Sequence, residues 1–124
     1  MIPRLSPATP RPPSHAATAV PFASAEEAWF WFMQAQEARL AGARAAAGLG
    51  AVARPCEPLD LLRAVDRLYR QRRLQRDHLE VLAHYGRRRM APDPFRRREL
   101  RACTLWREAL TALDPVLRLK GIVS

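Results

Sequence analysis

Residues 59–85 read LDLLRAVDRLYRQRRLQRDHLEVLAHY, and this stretch, which contains neither proline nor glycine, decides the fold. A single long helix is its simplest interpretation. With about 100° of rotation per residue, however, the apolar side chains of the first half share one arc, and those of the second half centre roughly 150° away. The sequence therefore predicts two amphipathic helices that meet at a corner near Arg72 to Arg76.

Capping residues upstream of this stretch predict where two helices begin. Ser24 and Glu27 have the spacing of a capping box, in which the hydroxyl accepts a backbone amide hydrogen and the carboxylate reaches back to the first amide. We expect this helix to span residues 25–41 or, if it passes the following glycine, residues 25–47. Pro58 suits the first turn of the next helix, because a proline there gives up no hydrogen bond.

The second half of the deciding stretch carries its own boundary signals. Asp77 and Glu80 repeat the capping spacing, and Gly86 suits the left-handed residue that often ends a helix. His78 falls on the apolar arc and is predicted to pack in the core, whereas His84 projects away from it. The two histidines are six residues apart, so they do not share a helix face as a metal-binding pair would.

Two Asp-Pro pairs predict the C-terminal part of the fold. Asp93 with Pro94 is typical of a helix start and predicts a fourth helix, with Phe95 on its apolar face. Asp114 with Pro115 repeats the signal and predicts a last short turn over residues 116–120.

These signals together predict an all-α fold, a single small helical bundle of about four helices plus a short C-terminal turn, with antiparallel neighbours joined by short loops. The first 21 residues contain six prolines, two arginines and no acid. Such a segment buries too little apolar surface to offset its ordering entropy. The sequence therefore predicts a disordered Pro-rich tail over residues 1–23 and a helical domain over residues 24–124.

The chain is strongly basic, with a formal net charge of +9 and a pI near 11.3. A basic balance favours a polyanionic partner. The basic residues are twenty arginines and one lysine, in a chain also rich in alanine and proline. GC-rich codons encode all three abundant types, so the position of the charge is more informative than its sum.

The densest charge lies on both sides of the turn at residues 92–94. Arginines at a helix start oppose the helix dipole, which indicates that those after the turn serve an anion such as phosphate. We therefore predict a noncatalytic DNA-binding surface with a regulatory role. The order of a short helix, a turn and an Arg-bearing helix resembles a helix-turn-helix with an overlong turn. The predicted nucleic-acid-binding residues are Arg87, Arg88, Arg89, Arg96, Arg97, Arg98 and Arg101.

An alternative is a protein interaction module, or self-association, through an aromatic ridge on the first helix. Five consecutive large side chains, at residues 29–33, point all around a helix axis, so one protein face cannot cover them. Either the domain wraps this helix on two sides, or some aromatics meet a partner. The predicted partner-binding residues are Trp29, Phe30, Trp31, Phe32 and Leu100, the last on the outward face of the fourth helix.

Other classes of function find little support. The sequence contains no Gly-rich phosphate loop and no convincing nucleophile and base pair, so we expect no enzyme, no cofactor and no metal site. No apolar run approaches the roughly 20 residues of a membrane span, although attachment to an anionic membrane surface is a third, weaker hypothesis. Cys56 and Cys103, without a secretory leader, favour free thiols in the cytoplasm. Cys56 lies near Arg54 and a helix start, which can lower a thiol pKa, but a passive, partly buried cysteine is the preferred interpretation.

Four short stretches resemble small uncharacterised bacterial proteins of roughly this length. They are Arg54 to Pro58, Asp66 to Arg70, His84 to Gly86 and Lys120 to Ile122. The likeness covers residues 21–123. It implies a bacterial origin and a single helical domain, and it assigns no activity and no site residues.

Overall fold

A computed structural model describes residues 19–42 and 52–124. The described residues form four α-helices, which confirms the predicted all-α fold. Residues 1–18 of the predicted tail, and the possible continuation of the first helix to residue 47, lie outside the described residues. The helices are α1 (Ala25–Ala41), α2 (Pro58–Arg70), α3 (Arg76–Arg88) and α4 (Leu100–Leu119), with a 3-10 turn at Arg97–Glu99 just before α4.

The start of α1 is the predicted one. Ser24 Oγ accepts from the Glu27 amide at 3.1 Å, and the Glu27 carboxylate accepts from the Ala23 amide at 2.7 Å. The helix ends at Ala41, and Gly42 follows with a φ of 108°. Glycine tolerates this conformation because it has no Cβ.

The predicted corner between α2 and α3 is confirmed, but the cap of α3 differs from the prediction. Arg72 turns the chain with a φ of 63°, and the buried Leu74 anchors the corner in the core. The cap is Gln75 rather than Asp77, because the His78 ring at the third helical position accepts the Gln75 amide hydrogen at 3.0 Å. His78 is thus a half-buried capping residue, not the fully packed core residue that the sequence predicts.

Gly86 does not end α3 as predicted. The helix continues to Arg88, and Arg89 takes the left-handed conformation with a φ of 50°. Gly86 is buried, and a Cβ at this position would lie 2.7 Å from Trp29 Nε1 and 2.7 Å from Met33 Cγ. The glycine is therefore required for the close approach of α1 to α3.

Both Asp-Pro predictions are wrong. Asp93 Oδ1 accepts from the Phe95 amide at 2.9 Å, which makes a local turn, and α4 begins only at Leu100. Pro115 lies inside α4. A proline removes the hydrogen bond to the carbonyl four residues earlier, and this residue, Thr111, is exposed, so water can hydrate its carbonyl.

The segment before α1 belongs to the domain, which corrects the predicted boundary at residue 24. Phe22 is 0% exposed and pairs with the C-terminus, because its amide donates to Ile122 and its carbonyl accepts from the Ser124 amide, both at 2.9 Å. The Arg54 guanidinium covers the Phe22 ring at 4.2 Å. The domain therefore includes residues before the first helix, Phe22 among them.

α3 packs against the first half of α4. At the start of α3, Asp77 pairs with Arg101 at 2.5 Å and His78 contacts Glu108 at 2.9 Å. Near its end, the Tyr85 ring lies 6.1 Å from the ring of Trp106. Both ends of α3 therefore lie against the first half of α4.

Candidate nucleic-acid interface

Glu99 organises the turn that joins α3 to α4. Its carboxylate accepts from the Asp93 amide at 3.1 Å, lies 3.7 Å from Arg96 Nη1 and hydrogen-bonds the Tyr85 hydroxyl. Burial, together with this bond to a carboxylate, raises the pKa of Tyr85, so its hydroxyl stays protonated and donates. Glu99 thereby fastens the start of α4 to the C-terminal end of α3.

Three of the predicted arginines form ion pairs. Arg89 pairs with Glu37 of α1 at 2.7 Å, and Arg101 pairs with Asp77 of α3 at 2.5 Å. Arg96 lies 3.9 Å from Asp93 and 3.7 Å from Glu99. All three are exposed at the surface, but their charges are largely matched within the protein.

The other four predicted arginines carry unmatched charge. They are exposed, and within the described part of the chain none of them forms an ion pair. We call Arg87, Arg88, Arg97 and Arg98 the turn arginines. The bond between Tyr85 and Glu99 joins the end of α3 to the start of α4, and the two arginine pairs lie next to these residues in the chain.

The turn arginines differ in local electrostatics. Arg87 and Arg88 lie in the last turn of α3, where cations stabilise the helix dipole. Arg97 and Arg98 lie in the 3-10 turn before α4, not in the first turn of an α-helix as predicted. They still stand beside the N-terminus of α4, where positive charge is locally unfavourable.

Apolar side chains stand among these arginines. Phe95 is 94% exposed, whereas the sequence predicts it on the buried face of the last helix. Met90 is also exposed, and Leu100 is exposed on the outward face where the sequence predicts it. The missed signal for Phe95 is the preceding Asp-Pro pair, because an aspartate can close a local turn with the amide two residues on instead of capping a helix.

The aromatic ridge is largely covered by the domain itself. Trp29 and Phe32 are each 4% exposed, and the Trp29 indole donates to the Leu82 carbonyl at 2.9 Å. Phe30 stacks on Trp106 at 5.6 Å, and Trp31 contacts Phe22 at 5.2 Å. α1 is wrapped on more than one side, which is the other outcome that the sequence leaves open.

A second exposed arginine group lies at the corner between α2 and α3. Arg72, Arg73 and Arg76 form no ion pair with any described acidic residue, and we call them the corner arginines. Arg72 and Arg76 line an open cleft of about 480 Å³. With a rise of about 1.5 Å per residue, Arg76 and Arg88 are roughly 18 Å apart along α3. The corner and turn arginines therefore occupy opposite ends of one helix.

The helix-turn-helix resemblance does not hold at the predicted place. Residues 89–99 separate α3 from α4, which is too long a connection for that motif. The shorter connection is residues 71–75, between α2 and α3. The two described helices with the shorter connection are therefore α2 and α3, and this connection lies away from the turn arginines.

Cys56 is partly buried as predicted, and burial, with Asp60 and Glu57 nearby, raises its pKa from 9.0 to about 11. The neighbouring Arg54 lowers this pKa, but by less.

Within residues 19–42 and 52–124, His, Cys, Asp and Glu form no cluster suited to a metal, and the helices there are too short or too polar to cross a membrane.

Comparison with known proteins finds no matching family model, no similar curated protein and no similar solved structure.

Proposed function

We propose that this protein is a noncatalytic nucleic-acid-associated domain, which binds DNA in a regulatory role through the turn arginines. The observation that carries the proposal is a set of four exposed guanidinium groups without carboxylate partners among the described residues, two in the last turn of α3 and two just before α4. Free guanidinium forks suit phosphate oxygens, which accept two hydrogen bonds from each fork. Free thiols at Cys56 and Cys103 favour a cytoplasmic location, where DNA is accessible in a bacterial cell.

The mechanism is electrostatic. Each arginine that contacts a phosphate displaces condensed counterions, and each such contact contributes about −0.9 to the slope of log K against log salt. Four contacts give a slope near −3.6, so affinity falls roughly 100-fold between about 50 and 200 mM salt. Arg89, Arg96 and Arg101 hold the turn in place through their ion pairs and add little to this slope.

A titration of duplex DNA at two ionic strengths tests the proposal. We expect binding at low salt that weakens by about two orders of magnitude at the higher salt. Absence of binding at low salt, or binding that salt does not change, would contradict it. Flotation with liposomes that contain anionic lipid separates the weaker hypothesis of membrane attachment, which requires the protein to float with the lipid.

A protein interaction module is a second candidate, favoured by one observation. Trp29 and Met33 line a groove of about 310 Å³ with Leu62 and Tyr69 of α2, and the latter two are 40% and 44% exposed. Replacing Leu62 and Tyr69 by aspartate leaves the buried ridge intact, so it tests docking without removing the core. Loss of self-association or of a stable partner would support this candidate, and unchanged assembly would remove it.

A further inference from the structure

We propose that Phe95 stacks on an unpaired base, so that the turn prefers single-stranded or locally unpaired nucleic acid over continuous duplex. The inference rests on the proposed function, because the turn arginines supply the affinity for the phosphate backbone. It adds a substrate class that charge alone does not specify.

The exposure of Phe95 is the first observation. Its side chain is 94% exposed, whereas Phe22 and Phe32, elsewhere in the same small domain, are 0% and 4% exposed. A large apolar side chain held in water forgoes the stabilisation that burial would give. An aromatic ring that no described residue covers is therefore available to a ligand.

The rigidity of the turn is the second observation. The Phe95 and Arg96 amides both donate to Asp93, the first to its side chain at 2.9 Å and the second to its carbonyl at 3.2 Å. The Asp93 amide donates in turn to Glu99 at 3.1 Å. Pro94 fixes its own φ, and Pro92 is buried beneath the turn. The backbone that carries the ring is thus fixed before any ligand binds, which lowers the entropy cost of binding.

The neighbouring charge is the third observation, and it identifies the ligand class. Arg97 and Arg98 follow the ring by two and three residues and have no acidic partner among the described residues. Single-strand binding proteins combine such cations, which follow the phosphates, with aromatic rings on which bases stack. The planar guanidinium of arginine can also stack on a flat ring.

A membrane surface fits these observations less well. Anionic lipid attracts lysine and arginine alike, and interfacial binding normally uses a whole apolar helix face. Here the most exposed large apolar side chain of the described residues, Phe95, projects from a short turn directly before three arginines. A single base can cover such a ring, because every base presents a flat apolar face of similar size.

Fluorescence anisotropy with the full chain tests the inference, using an oligonucleotide of about 20 nucleotides as a single strand and as a duplex. We expect the wild type to prefer the single strand. Phe95→Ala should weaken single-strand binding roughly 5- to 150-fold, the range that loss of one stacked base gives, and change duplex binding less than about twofold. Phe95→Trp should retain the preference, because the indole stacks equally well.

Leu119→Ala is the matched control, because Leu119 is also 90% exposed but lies at the far end of α4. It should leave both affinities unchanged. The inference is overturned if Phe95→Ala leaves single-strand binding unchanged, if Leu119→Ala weakens it equally, or if Phe95→Ala abolishes binding to phosphatidylserine vesicles but not to DNA. If the wild type binds neither form of DNA, the proposed function fails as well. If it binds both in a salt-dependent way that Phe95→Ala does not alter, the stacking inference alone fails.

Discussion

At the scale of single residues, Glu99 holds the candidate site together. Its carboxylate connects the Asp93 amide, the Tyr85 hydroxyl and the Arg96 guanidinium, and its side chain is only 20% exposed. A partly buried carboxylate with several donors stabilises a turn more than an exposed ion pair does. Glu99 is therefore one of the residues that fix the start of α4 against the end of α3.

Glu99→Ala should lower the free energy of unfolding by about 1 to 3 kcal/mol, because two hydrogen-bond donors lose their partner. Urea denaturation followed by circular dichroism measures the change. Glu80→Ala is the control, since Glu80 is exposed and forms no ion pair among the described residues. An equal effect of the two substitutions would show that Glu99 has no special role in the turn.

Gly86→Ala should destabilise the fold by about 1 to 3 kcal/mol, although alanine is the better helix former. The added methyl would lie 2.7 Å from atoms of Trp29 and Met33, where no space exists. Thermal unfolding measures the effect, with exposed His84→Ala on the same helix as the control. Met33→Ala should recover part of the loss in the double variant, and a stabilised Gly86→Ala would contradict the close approach of α1 and α3.

Cys56 should react slowly with iodoacetamide near neutral pH, because its pKa is raised from 9.0 to about 11 and the thiolate is the reactive form. Burial favours the neutral thiol over the thiolate, so the rate of alkylation should rise with pH until about pH 11. A Cys103→Ala background isolates this thiol. Rapid alkylation that levels off below pH 9 would show an activated cysteine instead.

At the scale of the elements, α1 and the pairing of Phe22 with residues 122–124 determine how the helices assemble. Phe22 closes one side of the core through its bonds to Ile122 and Ser124, and Trp29 joins α1 to α3 through the Leu82 carbonyl. These contacts bury aromatic side chains that could otherwise have bound a partner.

Phe22→Ala should lower the free energy of unfolding by about 3 to 5 kcal/mol, the usual cost of emptying a phenylalanine site in a core. Phe95→Ala is a matched control with the same chemical change, since the two rings are 0% and 94% exposed. Denaturant unfolding of both variants measures the contrast. Equal stabilities would place Phe22 outside the folded domain, as the sequence alone predicts.

The sequence predicts elements of this fold better than their ends. Apolar periodicity locates the corner between α2 and α3 because burial of each helix face is a strong and repeated signal. Cap signals fail at Asp77 and Gly86, where tertiary contacts compete with local ones, and at Asp93, where a different local turn competes with the helix cap. Asp77 pairs with a residue of α4, Gly86 makes room for α1, and Asp93 closes a turn.

The candidate site is also only partly predictable from the sequence. The arginines around the turn are visible in the sequence, and so is the outward position of Leu100. The sequence does not show which of these arginines form ion pairs. Arg89 pairs with Glu37 and Arg101 pairs with Asp77 only after the helices pack together. The exposure of Phe95 depends on the late start of α4.

At the scale of the whole molecule, a formal net charge of +9 is distributed unevenly. Unmatched arginines gather at both ends of α3, with the turn arginines at one end and the corner arginines at the other. A general attraction to polyanions would use both groups equally. A specific surface at the turn would use one.

Salt dependence of DNA binding separates these cases most directly, with two variants that each lose three charges: Arg87→Gln with Arg97→Gln and Arg98→Gln, and Arg72→Gln with Arg73→Gln and Arg76→Gln. We expect the first to reduce the slope of log K against log salt by about 2.7, and the second to leave it nearly unchanged. Circular dichroism confirms that both remain helical. Equal reductions in the two variants, or a larger one from the corner, would contradict a binding surface at the turn.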